Sequence, residues 1–542
     1  MLNLLFGNLI GVATGDCHKC KAFIIYRPVA MDGKRVGGAG AKAHGVCSIV
    51  MTAPSTLPTP LESFIVENKT TNPIPTASPA ATGAFIIKNL HRGLLLRVSS
   101  FCPNAKPTQI IIKASDCCCT AYITMNDNSA WNPDRKQKVP KVEDILKAQE
   151  LLAGTVRKTP LQRSSTFSRL AGTSLFLKLE CLQLTGSFKV RGASVKVSKL
   201  SDKQAGYGVI AASAGNHAQG VAYAAARKSI PCTIVMPQNA SPAKVSATRS
   251  YGAKVVLRGA NYEEAWAATQ EIAKDEGRTI IHAFDDPDVI AGQGTIGLEL
   301  LEDLPDVDRI YLPVGGGGLA AGVAIAVKSR RPGVKVIGVE SKAFPAMKES
   351  VAKGSLQSLK HGYSIADGIS VKQPGKLTYE IVSKVVDDIV LVDDTSIVKT
   401  MFLLMERAKM VVEPAGAASL AYLLSNGGHA GKKDNKVISI LSGGNVDMYL
   451  LGQVVAKGLM QMGRMLKIFI LLPDKPGALK DVVDGIAELS VNIVEVEHDR
   501  LSSNIPAGTA GVYLSLEIED EKHAQRLIEF LKRKGIEFKV VS

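Results

Sequence analysis

Past residue 138 the chain holds only two cysteines, Cys181 and Cys232; the other seven of its nine precede residue 120. A disulfide framework has no material to work with there, and a body so poor in thiols is expected of an intracellular, reduced protein. The early C-H-K-C pair, Cys17 and Cys20, is half a zinc site with no second pair at ligand spacing behind it. The triplet Cys117, Cys118 and Cys119 does not supply one with ordinary geometry, so no metal is expected. No apolar run approaches the ~20 residues that span a bilayer, which argues against a membrane-embedded protein. The net charge is +15, yet the basic residues are dispersed rather than gathered into a patch with interleaved aromatics. No nucleic-acid partner is expected.

What is present suits a folded protein. Hydrophobic residues make up 46% and charged residues 21% of 542, an ordinary globular balance, and the length suggests roughly three to four units of ~150 residues. Residues 1–138 stand apart: T-A-P-S-T-L-P-T-P and T-T-N-P-I-P-T-A-S-P-A-A-T-G are Pro/Thr/Ser-rich and without helical or strand period. This extension is expected to be disordered, because it buries too little to offset its ordering entropy. Its apolar start lacks the positive segment of a secretory signal and the arginines of a mitochondrial presequence. Targeting, disorder and a true start nearer Met125 all stay open, and a cytoplasmic location is the expectation.

From Val139 the pattern changes. V-E-D-I-L-K-A-Q-E-L-L carries apolar residues at helical spacing. Strand-like runs at 174–180, 207–213, 232–237, 254–257, 309–314, 335–340 and 436–442 then alternate with helix patterns. That alternation calls for an α/β fold with mainly parallel sheets, in which ligands bind beyond the carboxyl ends of the strands. The last residues, 465–542, read β-α-β-β-α-β, the order of a ferredoxin-like unit.

Three glycine-rich turns end strands: S-A-G-N-H-A-Q-G (213–220), G-G-G-G-L-A-A-G (315–322) and S-G-G-N (442–445). The backbone amides of Gly315, Gly316, Gly317 and Gly318, at a helix start, suit an anion. The run is not a Walker loop, since no Gly-Lys-Ser/Thr follows, and it lacks the dinucleotide fingerprint. One lysine, Lys189 in T-G-S-F-K-V-R-G-A (185–193), lies among small residues between a strand and a helix. By itself it reads as a solvated surface charge.

In order, T-G-S-F-K-V-R-G-A, S-A-G-N-H-A-Q-G, G-G-G-G-L-A-A-G, A-D-G-I (366–369), E-P-A-G-A (413–417) and S-G-G-N resemble the threonine/serine dehydratases. These are fold type II, tryptophan-synthase-β-like enzymes that use pyridoxal 5′-phosphate. The resemblance covers residues 139–460 and implies a two-lobed catalytic domain, its small lobe at about 207–285. It implies that Lys189 forms the Schiff base with the cofactor and then takes the Cα proton as general base. Small neighbours such as Gly186, Ser187 and Gly192 are read as room for that exchange. Gly315 to Gly318 with Leu319 would hold the phosphate, Asn216 the ring hydroxyl, Phe188 the ring face and Ser442 the pyridine nitrogen. Ser213, Ala214, Gly215, Asn216 and His217 would receive the substrate carboxylate. His217 alone reads as a structural histidine, and Glu413 equally as a helix-start charge or a site group. The implied reaction converts L-threonine to 2-oxobutanoate and ammonia, and L-serine to pyruvate and ammonia.

Serine racemases are similar but carry a serine where this chain has Ala214, and a methyl group transfers no proton. Glu340 matches the start of their divalent-metal site, while Phe344 and Ala346 depart from it. L-P-D-K-P-G-A-L-K-D-V-V (472–483) with V-N-I-V-E-V-E-H (491–498) resembles an ACT domain, which implies an amino-acid effector near Asp474, Gly477 and Asn492. A homodimer or homotetramer of catabolic type is the accompanying expectation. The alternatives are a serine racemase, a β-replacement enzyme and, outside enzymes, an amino-acid sensor. The last would require a missing lysine or a broken glycine loop.

Overall fold

The computed structural model describes residues 138–360, 362–426 and 435–541, together with seven strands among the first 129 residues. Those 129 residues form a unit of their own. Lys21–Tyr26, Cys47–Thr52 and Ser63–Val66 make one antiparallel sheet, and Ile86–Ile87, Leu96–Val98, Gln109–Ala114 and Thr120–Thr124 make another. These strands fall within the stretch that composition assigns to a disordered extension. K-A-F-I-I-Y and Q-I-I-I-K-A are rich in β-branched and aromatic side chains that favour a pleated sheet. Residues 53–60 and 70–83, the Pro/Thr-rich stretches, lie outside the described residues, as do Cys17 and Cys20.

In the second unit all seven strand-like runs between 174 and 442 form strands. The larger sheet has six, in the order Asp388–Val392, Lys335–Ser341, Arg309–Pro313, Lys436–Ile440, Ser174–Lys178 and Leu161–Arg163. Only the last pairing is antiparallel. The smaller sheet is wholly parallel: Lys254–Leu257, Cys232–Met236, Val209–Ala212 and Thr279–Ile280. Every residue of Val209–Ala212 and Cys232–Met236 is buried, as strands covered on both faces require.

The helix that opens at Lys189, Lys189–Ser198, is set by its packing. It crosses helix Pro287–Asp303 where Gly192 meets Gly292, and a Cβ on Gly292 would stand 2.6 Å from the Gly192 Cα. Gly192, the second glycine of T-G-S-F-K-V-R-G-A, therefore serves close backbone approach. It gives no room for lysine movement, which corrects that part of the sequence reading.

Two residues past Lys189, Arg191 is completely buried. Its guanidinium donates to both Glu180 oxygens, at 2.8 and 2.9 Å, and to both Glu299 oxygens, at 2.6 and 3.0 Å. Lys178 joins the cluster, donating to Glu299 at 2.6 Å and to the Thr159 carbonyl at 2.7 Å. Two cations thus face Glu180 and Glu299, with Asp303 3.9 Å from Lys178, and the fork of Arg191 ties the Lys189 helix to the strand end and to helix Pro287–Asp303.

The final residues form the order β-α-β-β-α-β in one antiparallel sheet, Asn492–Asp499, Thr509–Glu517, Met465–Pro473, Glu537–Val540, with helices Ala478–Glu488 and Glu521–Arg533. Ile468, Ile470, Val512, Leu514, Ile486 and Leu531 build its own core.

Candidate active site

The strand ends and helix starts of the two sheets supply the site. Lys189 follows a tight turn in which Thr185 and Gly186 both adopt positive φ, 62° and 70°. Ser187 pairs with Gly443 in an isolated antiparallel bridge, and the Phe188 amide donates to the Ser442 carbonyl at 3.1 Å. The sequence-distant segments T-G-S-F-K and S-G-G-N are thereby stitched together. The Lys189 Nζ donates to the Ala283 carbonyl at 2.9 Å and stands 5.2 Å from the Phe188 ring centre. Burial of the ammonium, partly opposed by Glu413, lowers its pKa to about 8. An amine so tuned is neutral often enough near physiological pH to attack a carbonyl.

The glycine loop comes next to it through the segment after Ala283. The Phe284 ring packs on Gly316, where an added Cβ would lie 2.3 Å from it. Asp285 accepts from the amides of Lys376, Leu377 and Thr378 at 2.9–3.1 Å, capping helix Lys376–Val385. From that helix the Thr378 hydroxyl donates to the Gly316 carbonyl at 2.6 Å. Gly317, at φ 94°, opens helix Gly318–Arg330, in which Leu319 is the second residue. Among the described residues, the amides of Gly315, Gly316 and Gly317 donate to no backbone carbonyl, so the loop offers donors and the positive end of a helix dipole to an anion. An aldehyde-bearing phosphate ester fits this pairing of a partly buried amine with an anion cradle.

Strand Val209–Ala212 leads through Ser213, Ala214 and Gly215 into helix Asn216–Arg227. The Ser213 hydroxyl accepts from the Gly215 amide at 3.2 Å. His217 is buried and its Nε2 donates to the Ile281 carbonyl at 2.8 Å; burial, with Lys189 nearby, pushes its pKa down to about 3. It is a neutral imidazole that ties helix to strand. Asn216 lies at the first helical position, and its amide nitrogen donates to Glu413 Oε1 at 2.7 Å.

Glu413 was legible in two ways, and the geometry separates them. It stands at the start of helix Pro414–Ser425, but its side chain makes no capping bond. The carboxyl turns instead toward Asn216 and Gly443, and burial, then the charge of Asp367, raises its pKa to about 8. Asn445, the last residue of S-G-G-N, has no role legible in the sequence; its amide nitrogen donates to the Asn216 oxygen at 2.7 Å. Phe284 and Asp285 were missed as well. The signal available for them was the D-D-P at 285–287, a helix-start signature directly before Pro287.

Glu340 is taken up by the fold: its carboxylate accepts from the Met347 and Lys348 amides, both at 2.9 Å, and burial raises its pKa to about 7. Among the described residues no cluster of metal-binding side chains forms. The three residues expected near an effector are not gathered within one chain. Asp474, ion-paired with Arg500 at 3.0 Å, and Gly477, at φ 89°, follow the Pro473 end of the central strand. Asn492, bonded to Glu517 at 3.2 Å, lies at its Met465 end, eight residue steps or about 26 Å away.

Known proteins place these features in context. The family described as pyridoxal-phosphate dependent enzyme matches residues 152–443. The L-threonine ammonia-lyase of Thermotoga maritima is 46% identical over 400 residues, 74% of this chain and 99% of that protein. The catabolic L-threonine dehydratase TdcB of Escherichia coli K12 is 47% identical over 313 residues, 58% of this chain and 95% of that protein. Among solved structures, maize serine racemase superposes with a TM-score of 0.56 at 38% identity, over 60% of this chain and 99% of the racemase. The threonine deaminase of T.th. does so with 0.54 at 40%, over 57% and 99%.

Proposed function

The chain belongs to the pyridoxal-phosphate-dependent enzymes and is a lyase of that family, and from this premise we infer that it deaminates L-threonine to 2-oxobutanoate and ammonia. The observation that carries the reading is the partly buried Lys189 amine, with its pKa lowered to about 8, joined through Ala283 and Phe284 to the Gly315–Gly318 loop.

The bound cofactor supplies an electron sink for the bond that breaks at Cα. Lys189 Nζ would hold the cofactor covalently and, when free, would serve as the base for the Cα proton. The glycine loop, with Leu319 in the helix that follows it, would hold the phosphate. Phe188 would pack the ring and Ser442 would be the partner of its nitrogen. Ser213 to His217 orient the substrate carboxylate by backbone amides at the helix start. Loss of the β-hydroxyl as water gives an enamine, which tautomerises and takes water back to yield the 2-oxo acid and ammonia.

Ala214 bears on the outcome. It stands in the loop before Asn216 and offers only a methyl group, so Lys189 is the one base for Cα. With L-serine as substrate, pyruvate is expected to exceed D-serine by about 100-fold or more, as loss of one proton-transferring group costs roughly 10²–10⁴. Chiral analysis of the serine remaining alongside pyruvate release tests this. Comparable amounts of D-serine and pyruvate would favour the racemase alternative.

The carboxy-terminal unit is read as an ACT domain that senses an amino acid. Its β-α-β-β-α-β order and sheet order support this. Because Asp474 and Gly477 lie about 26 Å from Asn492 in one chain, an effector touching all three would sit between paired copies. That arrangement goes with a homodimer or homotetramer.

A further inference from the structure

Three amides and one carboxyl form a continuous chain beside Lys189. It begins at the Thr185 carbonyl, which only accepts. That carbonyl takes a hydrogen bond from the Asn445 Nδ2 at 2.7 Å, so the nitrogen end of Asn445 is fixed. The same Nδ2 donates to Asn216 Oδ1 at 2.7 Å, which fixes the oxygen end of Asn216 toward Asn445. The Asn216 nitrogen then faces Glu413 and donates to its Oε1 at 2.7 Å. The backbone is shaped to admit the chain. A Cβ on Gly186 would stand 2.4 Å from Asn445 Oδ1, and one on Gly443 would stand 2.3 Å from Glu413 Oε1.

We propose that Glu413 and Asn445 are positioning residues that orient the Asn216 amide, leaving its second N–H directed at the ring hydroxyl oxygen of the cofactor. The proposal rests on the reading that Asn216 meets that oxygen. An amide nitrogen carries two donors, and Glu413 uses one. The remaining N–H stabilises the ionised form of the ring oxygen, and the relay prevents the amide from turning its own oxygen there instead. The raised pKa of Glu413 agrees with this arrangement: a protonated carboxyl still accepts at Oε1 and places no negative charge beside an ionised ring oxygen.

The test uses holoenzymes with Glu413→Ala, Glu413→Gln, Asn445→Asp, Asn216→Ala and the Glu413→Ala/Asn216→Ala pair. Two quantities are read: the dissociation constant for pyridoxal 5′-phosphate and the pH midpoint of the cofactor's absorption change. Asn216→Ala is expected to weaken cofactor binding about 10-fold or more and to move the midpoint. Glu413→Ala should move the midpoint the same way, and Glu413→Gln, which keeps a neutral acceptor, should restore it. The double variant should match Asn216→Ala alone, because residues acting through one group are not additive. Asn445→Asp, equal in shape and hence expected to fold, turns a second acceptor toward the Asn216 oxygen and should reproduce the shift. A wild-type midpoint in Glu413→Ala beside a moved one in Asn216→Ala would overturn the relay alone, as would full additivity of the pair. An unmoved midpoint in Asn216→Ala would overturn both the relay and the reading beneath it.

Discussion

Lys189→Ala is expected to lose the lysine-linked cofactor absorbance near ~410–430 nm and at least about 10³-fold of kcat, because a covalent anchor and a base of roughly 10²–10⁴-fold value disappear together. The setting of the side chain gives the size of this effect. Its Nζ has one described hydrogen-bond partner, the Ala283 carbonyl, and no carboxylate within ion-pair distance among the described residues. A lysine placed for stability would be paired; this one is held, desolvated and left nucleophilic. The sign of its pH dependence follows. Burial lowers the pKa to about 8, so the reactive neutral amine accumulates as pH rises through 8. Capture of added pyridoxal 5′-phosphate by the apoprotein should accelerate from pH 7 to about 8 and then level. An ordinary lysine would keep accelerating about tenfold per unit toward pH 10. Retention of the absorbance in Lys189→Ala, or a capture rate still climbing at pH 10, would remove Lys189 from the chemistry.

The largest stability effect is expected two residues away. Arg191→Met should destabilise the protein by about 3–5 kcal/mol, the range for breaking a buried ion pair by removal of one partner. The side chain is completely buried with Glu180, and Glu299 is nearly so, hence water does not replace the lost charge. By contrast, breaking the exposed pair of Lys353 with Glu349 should change stability by no more than about 0.5 kcal/mol. Denaturant midpoints at constant slope measure both. Acid sensitivity gives a second readout. Burial alone would raise the Glu180 pKa, but Arg191 opposes it and holds the carboxyl below its usual 4.5. A depressed carboxylate stabilises the fold above pH 4.5 and loses that contribution as pH falls through the lower folded value. Without Arg191 the burial effect is less opposed, and acid unfolding should begin at higher pH. An Arg191→Met protein within about 1 kcal/mol of wild type would show that the cluster does not anchor the Lys189 helix.

How much of this the sequence disclosed depends on range. The turns and helix starts that carry Lys189, the glycine loop and the loop from Ser213 to His217 were legible locally at strand ends, whereas the roles proposed for them rest on the resemblance of the ordered motifs. The seven strand runs were legible as continuous apolar segments, whereas Asp388–Val392 was missed although its I-V-L-V, bounded by aspartates, is a signal of the same kind. Glu180, Arg191 and Glu299 are scattered over 120 positions and meet only through packing. Gly192 was misread because a glycine beside a functional lysine suggests freedom, while its use, the contact with Gly292, lies 100 residues on. Glu413 was ambiguous for a related reason. A carboxylate before proline suits a helix start, and only the direction of its side chain toward Asn216 distinguishes the two uses.

The most direct measurement is 2-oxobutanoate release from L-threonine by purified holoenzyme, with ammonia followed in parallel. Equal amounts of the two products, formed catalytically and lost in Lys189→Ala, are the predicted result. No 2-oxobutanoate from a protein that carries its full complement of lysine-linked cofactor would contradict the account.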